Sequence, residues 1–436
     1  MYIEKEIPVY DFVSAISEAV DMVSPILFSH HCKVAYISYR IAQKMKLAGD
    51  DIQDIILASM LHDIGAFSTG ERVKAYAFDP FDAELNEHAF MGFKLLNGFE
   101  PLSKAANIIK YHHSNYERLR PDIPMGSSII HLADKVCILL NEQREILSQV
   151  SYVLEKISQL YDWLHPDVFA AFFRLAKFEY IWLEAFSTLP NSITLKQALA
   201  SRKIPDMETL RDFAKVIAQA IDFRSRFTAT HSQGVAAVAY ELALISGFSQ
   251  RECKRMEIAG LLHDLGKLSV PNDILEKNGA LSTEETNIIR KHPYYTHAVL
   301  SKIDGLEDIA AWAAHHHERQ DGNGYPFHVK EGGFSKLARI MAVADILTAL
   351  TENRPYRPGI DKENAMKILF NMAENGRIDK SIVELTDKYF LPVNDARLTA
   401  QKLAQKEYEA FHNVTRPFPV GEVKQTAKEE VWINSL

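Results

Sequence analysis

Cysteine is scarce in this sequence. Cys32, Cys137 and Cys253 are the only cysteines among 436 residues, and they are far apart and odd in number. This usage argues against a disulfide framework and against a zinc site built from cysteines. It indicates a protein of a reducing compartment, and we expect a cytoplasmic location.

Long apolar runs are also missing. No run approaches the roughly 18 apolar residues that a membrane-spanning helix needs. The segment Met1 to Phe12 has no basic stretch followed by an apolar one, so it does not resemble a signal peptide. We therefore expect no membrane partner.

Positive charge is not in excess, because the formal net charge is −8. A protein that binds polymeric nucleic acid normally carries a basic face, so that class is disfavoured. A small anionic substrate is not excluded, since bound metal ions and a few local cations can reverse the field inside a cleft. The unusual count is that of histidine, which occurs 17 times.

One order of polar residues occurs twice along the chain. Met60-Leu-His-Asp-Ile-Gly65 reappears as Leu261-Leu-His-Asp-Leu-Gly266, and His30 and His231 stand at matching positions before these segments. The period is about a whole domain, so we predict two related domains in tandem. Their expected limits are 1–190 and 208–415, and we interpret Ser187 to Met207, with its prolines and small polar residues, as the connection.

The segments around the repeated residues show helical patterns. Val235 to Ile245 has apolar residues at helical spacing and ends before Gly247, and Ser282-Thr-Glu-Glu285 is typical of a helix N-terminus. Asn141 to Phe186 is helical by pattern, and alternating strand patterns are scarce. The expected fold class is all-α.

The repeated residues are types that bind metals. Imidazole and carboxylate groups suit iron, manganese or zinc. In the adjacent pair His263-Asp264 the side chains diverge by about 100°, so the carboxylate could bridge two ions while the imidazole binds one. The C-terminal set is His231, His263, Asp264, His292, His316, His317 and Asp345.

The C-terminal copy resembles the HD-GYP family. His263-Asp-Leu-Gly-Lys267 is similar to its HDxGK motif, and the segment 316–326, HHERQDGNGYP, has every fixed position of its HHExxDGxGYP motif. Asp345 and the following Arg354-Pro-Tyr-Arg357 resemble the end of the family's site. The resemblance spans about Ala220 to Lys388. It implies an all-helical, metal-dependent phosphodiesterase that opens cyclic dinucleotides, either c-di-GMP or 3′,3′-cGAMP, to the linear dinucleotide.

The tandem layout, with an HD domain in front, is similar to that of the members that act on 3′,3′-cGAMP. Some members hold a third ion through a Glu four residues before the first histidine. Phe227 stands there, so we expect two divalent ions, with iron or manganese favoured.

Other residues of the second copy are candidates for contact with the substrate. Lys267 could offset charge on the phosphate and assist the leaving oxygen. Gly322 and Gly324 would let the loop approach the substrate, and Tyr325 could stack on a base or bind a phosphate. Two further cations, Arg354 and Arg357, could bind guanine edges or phosphates through paired donors.

The N-terminal copy keeps the ligand types but lacks other parts. Ala66 replaces the lysine, and no DGxGYP loop separates His113 from Asp134. It still resembles the wider HD superfamily and could be a second enzyme site that removes phosphate from the linear product, a metal-stabilised partner domain, or a sensor. The candidate ligands are His30, His62, Asp63, His88, His112, His113 and Asp134.

Two other functions stay open for the whole chain. One is a non-catalytic sensor of the nucleotide, which would not need the full ligand set together with Lys267. The other is a general HD-type nucleotidase, which the GYP loop disfavours for the second copy. The sequence also leaves a homodimer open.

Overall fold

Helices form nearly all the regular structure of the chain. The computed structural model describes residues 6–22, 29–66, 85–115, 123–225, 228–277, 279–330, 332–353 and 358–413. Within these ranges the strands are the two-residue segments Ile7–Pro8 and Lys203–Ile204, which pair antiparallel with Ile7 opposite Ile204. The all-α class expected from the sequence is confirmed.

The helices of the N-terminal half are Val9–Asp21, His30–Lys44, Gly49–Leu61, Leu85–Leu96, Ser103–Lys110, Met125–Leu139, Val150–Ser158, Pro166–Leu175, Glu179–Ala185 and Thr188–Ala198. The helices of the C-terminal half are Met207–Asp222, His231–Ile245, Gln250–Leu262, Asn272–Leu275, Thr283–Ile289, His292–Leu300, Glu307–Ala314, Lys336–Thr351, Lys362–Glu374, Lys380–Lys388 and Phe390–His412. Short 3-10 helices are Glu100–Leu102, Leu147–Gln149, Tyr161–Trp163, Leu265–Ser269 and His315–His317.

Local sequence explains where several of these helices begin. Ser249 and Glu252 form a reciprocal capping box at the start of Gln250–Leu262, and Ser282 and Glu285 form another before Thr283–Ile289. Each box satisfies backbone N–H groups that the first turn leaves without intrahelical partners. The helix N-terminus expected at Ser282 is therefore present.

The stretch Ser187 to Met207, interpreted from the sequence as the connection between the domains, has regular structure of its own. This stretch contains the helix Thr188–Ala198 and the strand Lys203–Ile204. Leu195 and Leu199 are fully buried there, and Ile204 is nearly so. Their burial against the core stabilises regular structure that the polar composition of the stretch did not indicate.

The helix Val9–Asp21 joins the two halves of the molecule. Phe12, Val13 and Ile16 are buried along it. Phe213, from the second half, packs against Phe12 and Phe99, with ring centroids 4.7 and 5.0 Å apart. The two halves thus share one continuous apolar core.

One close contact between two helices positions residues of the second copy. A Cβ at Gly260 would lie 2.6 Å from the Cα of Ala236, which is closer than a real Cβ can approach. Glycine therefore lets Gln250–Leu262 pack tightly on His231–Ile245, and this packing brings His231 and His263 to the same side. Among the described helices, none has both the length and the apolar character needed to cross a bilayer.

Candidate metal centres

The histidines of the second copy stand at helix ends and share one orientation. His263 follows Gln250–Leu262, His292 opens its own helix, and His316 lies in the 3-10 turn after Glu307–Ala314. In each, Nδ1 donates to the carbonyl three residues earlier, at 2.8, 2.7 and 2.6 Å respectively. A carbonyl can only accept, so these bonds leave Nε2 of each ring as the nitrogen with a free lone pair.

Asp264 lies between two groups of histidines. Its Oδ2 is 3.2 Å from Nε2 of His263, whereas its Oδ1 is 3.2 Å from Nε2 of His292 and 4.0 Å from Nε2 of His316. One carboxylate therefore faces both halves of the site. The bridging role expected for Asp264 from the sequence stays a prediction.

Asp345 also lies close to two histidines. Its Oδ1 lies 3.2 Å from Nε2 of His231, and its Oδ2 lies 3.9 Å from Nδ1 of His317. The structure thus brings together all seven residues of the predicted C-terminal set. Within it, the ligand atoms of His231, His263 and Asp264 lie within 4.8 Å of one another, as do those of His292, His316 and His317.

The electrostatics of this cluster favour a cation. Burial, together with the neighbouring His317 and His263, holds the pKa of His316 well below its usual range, so this imidazole is neutral. Burial opposes ionisation of Asp264, but His263 and Lys267 outweigh it and hold its pKa well below the usual range. Neutral imidazoles and ionised carboxylates are the forms that bind metal ions.

Negative charge is concentrated around His231. Burial disfavours its protonation, yet the carboxylates of Glu352 and Asp345 outweigh burial and raise its pKa to about 10. Two buried carboxylates beside one imidazole attract a positive charge, and a divalent cation can supply it. Both the donor types and the charge of the cluster therefore fit divalent metal ions.

Lys267 lies against the carboxylate of Asp264. Its Nζ is 2.6 Å from Oδ2 of Asp264. The backbone of its turn is fixed by the buried Arg224, which donates to the carbonyls of Lys267 and Val270 at 2.8 and 2.9 Å. Burial opposes the charged lysine, but Asp264 outweighs it and raises the pKa of Lys267, so the ammonium is retained.

The glycine loop folds back onto the site. Gly322 has φ +76°, and a Cβ at Gly324 would lie 2.3 Å from the amide nitrogen of Arg319. Both positions therefore require glycine. Tyr325 lies beside the site, with its ring centroid 4.9 Å from that of His317 and 4.6 Å from the guanidinium of Arg290. Three other residues named from the sequence, Arg354, Arg357 and Phe227, lie outside the described residues.

The first copy repeats the central geometry. Oδ1 of Asp63 is 3.1 Å from Nε2 of His88, and its Oδ2 is 3.4 Å from Nε2 of His62. Asp134 places Oδ1 3.1 Å from Nε2 of His30. His112 and His113 join Asp63 and His88 in a group whose ligand atoms lie within 4.8 Å of one another. All seven candidates of this copy therefore converge, while the buried Ala66 offers no cation at the place of Lys267.

Sequence reasoning missed several residues that support the sites. Glu352 accepts from Nδ1 of His231 at 3.2 Å and from Gln401 at 3.1 Å. Glu318 accepts from the backbone N–H groups of Phe327 and Val329 at 2.7 and 3.0 Å, which fixes the end of the glycine loop. Glu318 is a fixed position of the motif HHExxDGxGYP and could have been singled out, whereas no sequence pattern points to Glu352.

Comparison with known proteins supports this organisation. Residues 27–139 and residues 215–382 each match a family described as an HD domain. The tandem HD layout expected from the sequence is thereby confirmed. Both ranges fall inside the predicted limits 1–190 and 208–415, which themselves stay a prediction.

Similar proteins come from bacteria. The chain is 29% identical over 395 residues to the 3′3′-cGAMP-specific phosphodiesterase 1 of Vibrio cholerae, covering 85% of this chain and 89% of that protein. It is 32% identical over 194 residues to the cyclic di-GMP phosphodiesterase response regulator RpfG of Xanthomonas campestris, covering 44% of this chain and 51% of that protein. A crystal structure of a cyclic GMP-AMP-specific phosphodiesterase of V. cholerae, V-cGAP3, has the same fold, with a TM-score of 0.59, 20% identity, and coverage of 92% of this chain and 99% of that one.

Proposed function

We propose that this chain is a metal-dependent phosphodiesterase that hydrolyses cyclic dinucleotides in its second HD domain. The chain belongs to the HD-domain family and carries two copies of that domain. The observation that carries the proposal is the position of Asp264. Its two oxygens face His263 and His292, and the Lys267 ammonium lies against the same carboxylate. A pair of divalent cations and a positioned ammonium can together catalyse cleavage of a phosphodiester.

The ligands divide into two groups around Asp264. We assign His231, His263, Asp264 and Asp345 to one ion and His292, His316, His317 and Asp264 to the other. The 3.2 Å approach of Asp345 to His231 supports the first group, and the 3.1 Å separation of the Nε2 atoms of His292 and His316 supports the second. Iron or manganese suits such nitrogen and oxygen donors. Divalent ions bound there supply Lewis acidity that activates water and neutralises charge on the phosphate.

The chain's own residues then position the substrate. Lys267 places its ammonium at the edge of the cluster, where it can hold a phosphate oxygen and stabilise charge on the departing ribose 3′ oxygen. The ring of Tyr325, backed by the Arg290 guanidinium, offers a flat face to a nucleobase at the entrance. Gly322 and Gly324 allow the loop to approach that base, and Arg354 and Arg357 stay candidates for its recognition.

The substrate is a cyclic dinucleotide, 3′,3′-cGAMP or c-di-GMP. Relatives named for both substrates support the class. The tandem layout, shared over most of the chain with a relative named for 3′3′-cGAMP, favours the hybrid nucleotide. The product of the second copy is the linear dinucleotide.

A different reaction is assigned to the first copy. It has a convergent ligand set but neither the lysine nor the glycine loop, so it lacks the parts that would hold a cyclic substrate. We propose that it removes the terminal phosphate from the linear product. With few cysteines along the chain, we place the protein in the cytoplasm.

Product analysis of the purified chain tests this function. The protein is incubated with Mn²⁺ or Fe²⁺ and with 3′,3′-cGAMP, c-di-GMP or a linear 5′-phosphorylated dinucleotide, and the products are separated by chromatography. Conversion of a cyclic substrate to a linear dinucleotide is expected. Binding without conversion would indicate a sensor, and hydrolysis of the linear phosphate ester alone would indicate a general nucleotidase.

A further inference from the structure

The first copy contains a buried carboxylate–imidazole pair that the second copy lacks. The repeat places Asp21 at the position of Asp222 and His31 at the position of Ser232, each pair 201 positions apart. Asp222 accepts from the backbone N–H and the hydroxyl of Ser232, both at 3.0 Å. Asp21 instead bonds Nδ1 of His31 at 2.5 Å. The carboxylate is thus retained in both copies, while its partner has changed from a hydroxyl to an imidazole.

This imidazole faces the first metal cluster. His31 is 1% exposed, and its ring centroid lies 4.9 Å from that of His62. One of its nitrogens lies within 4.8 Å of ligand atoms of both His62 and Asp63. Because Nδ1 is bonded to Asp21, Nε2 is the nitrogen that remains for a cation. The contact resembles the outer part of a carboxylate–histidine–metal arrangement, in which the carboxylate fixes the orientation of the ligating ring.

The second site has a different group beside the equivalent carboxylate. There the ammonium of Lys267 contacts Asp264. In the first copy the position of that lysine is occupied by Ala66, and His31 approaches Asp63 from a different helix, His30–Lys44. An ammonium repels a metal ion and has no lone pair to give, whereas a neutral imidazole binds one.

We propose that His31 is an additional ligand for a divalent cation in the first copy, held in place by Asp21. The cation would then lie among His30, His31, His62, Asp63 and Asp134. The first site therefore offers one more nitrogen donor than the second, and it binds its metal without a lysine in contact with the bridging carboxylate. This inference rests on the part of the proposed function that places metal in the first copy.

Metal affinity of the full chain tests the proposal. Asp264→Ala provides a background in which the second site is disabled, so that Mn²⁺ binding measured by competition with a chelator reports on the first site. His31→Ser copies the residue of the second domain, and Asp21→Asn keeps the shape of the carboxylate but not its charge. Ser232→Ala, at the matching position of the second copy, is the control.

Loss of a ligand or of its outer carboxylate typically weakens metal binding by about 10- to 100-fold. We expect that loss in His31→Ser and in Asp21→Asn, and no change in Ser232→Ala. A Co²⁺-loaded sample of His31→Ser should also show an altered visible spectrum, because a nitrogen ligand is gone. Circular dichroism of the metal-free variants reports on their folding. Asp21→Asn decides the question if His31→Ser does not fold.

The proposal is wrong if the folded His31→Ser and Asp21→Asn variants bind Mn²⁺ as tightly as the Asp264→Ala background and His31→Ser gives the same Co²⁺ spectrum as that background. This result would leave the proposed function untouched, because ring opening is measured separately with the wild-type chain. Conversely, a wild-type chain that opens no cyclic dinucleotide would contradict the proposed function while the metal affinities still decide the role of His31.

Discussion

In the proposed function, both halves of the second site depend on Asp264. Its oxygens face different histidines, and the ammonium of Lys267 contacts the same group. The type and order of these residues could be predicted from the sequence, because the metal-binding pattern occurs twice. Glu352 and His31 could not be found in this way, since their roles follow from contacts with residues distant in the chain.

Replacing Asp264 with alanine should remove metal from both halves of the second site and abolish ring opening. The carboxylate of Asp264 lies 3.2 Å from Nε2 of both His263 and His292, and alanine offers no ligand atom in its place. Elemental analysis and product formation are measured together. Asp395→Ala, an exposed aspartate on the last helix, is the control. Retention of the wild-type metal content with wild-type turnover would show that Asp264 is not a bridging ligand.

Replacing Lys267 with alanine should keep the metal but slow the reaction. Removing one positioned charge partner typically costs a factor of about 10²–10³ in kcat. The rate is measured at saturating substrate, with Lys277→Ala, which forms an ion pair with Glu285 on the surface, as the control. An unchanged kcat would place Lys267 outside the reaction.

At the scale of elements, helix ends and one loop position the site. The helices around His231, His263 and His292 could be predicted from apolar spacing and capping residues. The structure of Ser187 to Met207 could not, because the burial of Leu195, Leu199 and Ile204 there depends on the rest of the fold. The glycine loop was recognisable by its motif, but the attachment of its end to Glu318 needed the structure.

Replacing Glu318 with glutamine should weaken substrate binding without changing the metal content. The two oxygens of Glu318 accept from the backbone of Phe327 and Val329, and each hydrogen bond to a charged group typically contributes about 1.5–3 kcal/mol. In Glu318→Gln one acceptor becomes a donor facing an N–H group, so the loop should loosen and KM should rise with little loss of metal. Steady-state kinetics and metal analysis measure this, with the exposed Glu374→Gln as the control. A KM equal to that of the wild type would mean that the loop end does not contribute to binding.

At the scale of the whole molecule, the two copies are joined through a shared apolar core. Phe213 lies between Phe12 and Phe99, which come from the other half of the chain. Tandem domains were evident from the repeat. Their fusion through Val9–Asp21 was not, because the sequence does not indicate which apolar faces of two related domains meet.

Phe213→Ala should lower the stability of the chain. Truncating a buried phenylalanine typically costs about 3–5 kcal/mol, and Phe213 is 1% exposed. The free energy of unfolding is measured by chemical denaturation, with Phe178→Ala, which is 49% exposed, as the control. Equal denaturation midpoints for the two variants would contradict the shared core.

The division of labour between the copies is tested most directly by ring opening in two variants. Because Lys267 and the glycine loop belong to the second copy alone, His263→Ala should abolish cleavage of the cyclic substrate. The double variant His62→Ala, Asp63→Ala should leave it largely intact, with linear dinucleotide accumulating if the first copy removes its phosphate. Loss of ring opening in the folded double variant, together with its survival in His263→Ala, would contradict the assignment and reverse the roles of the two copies.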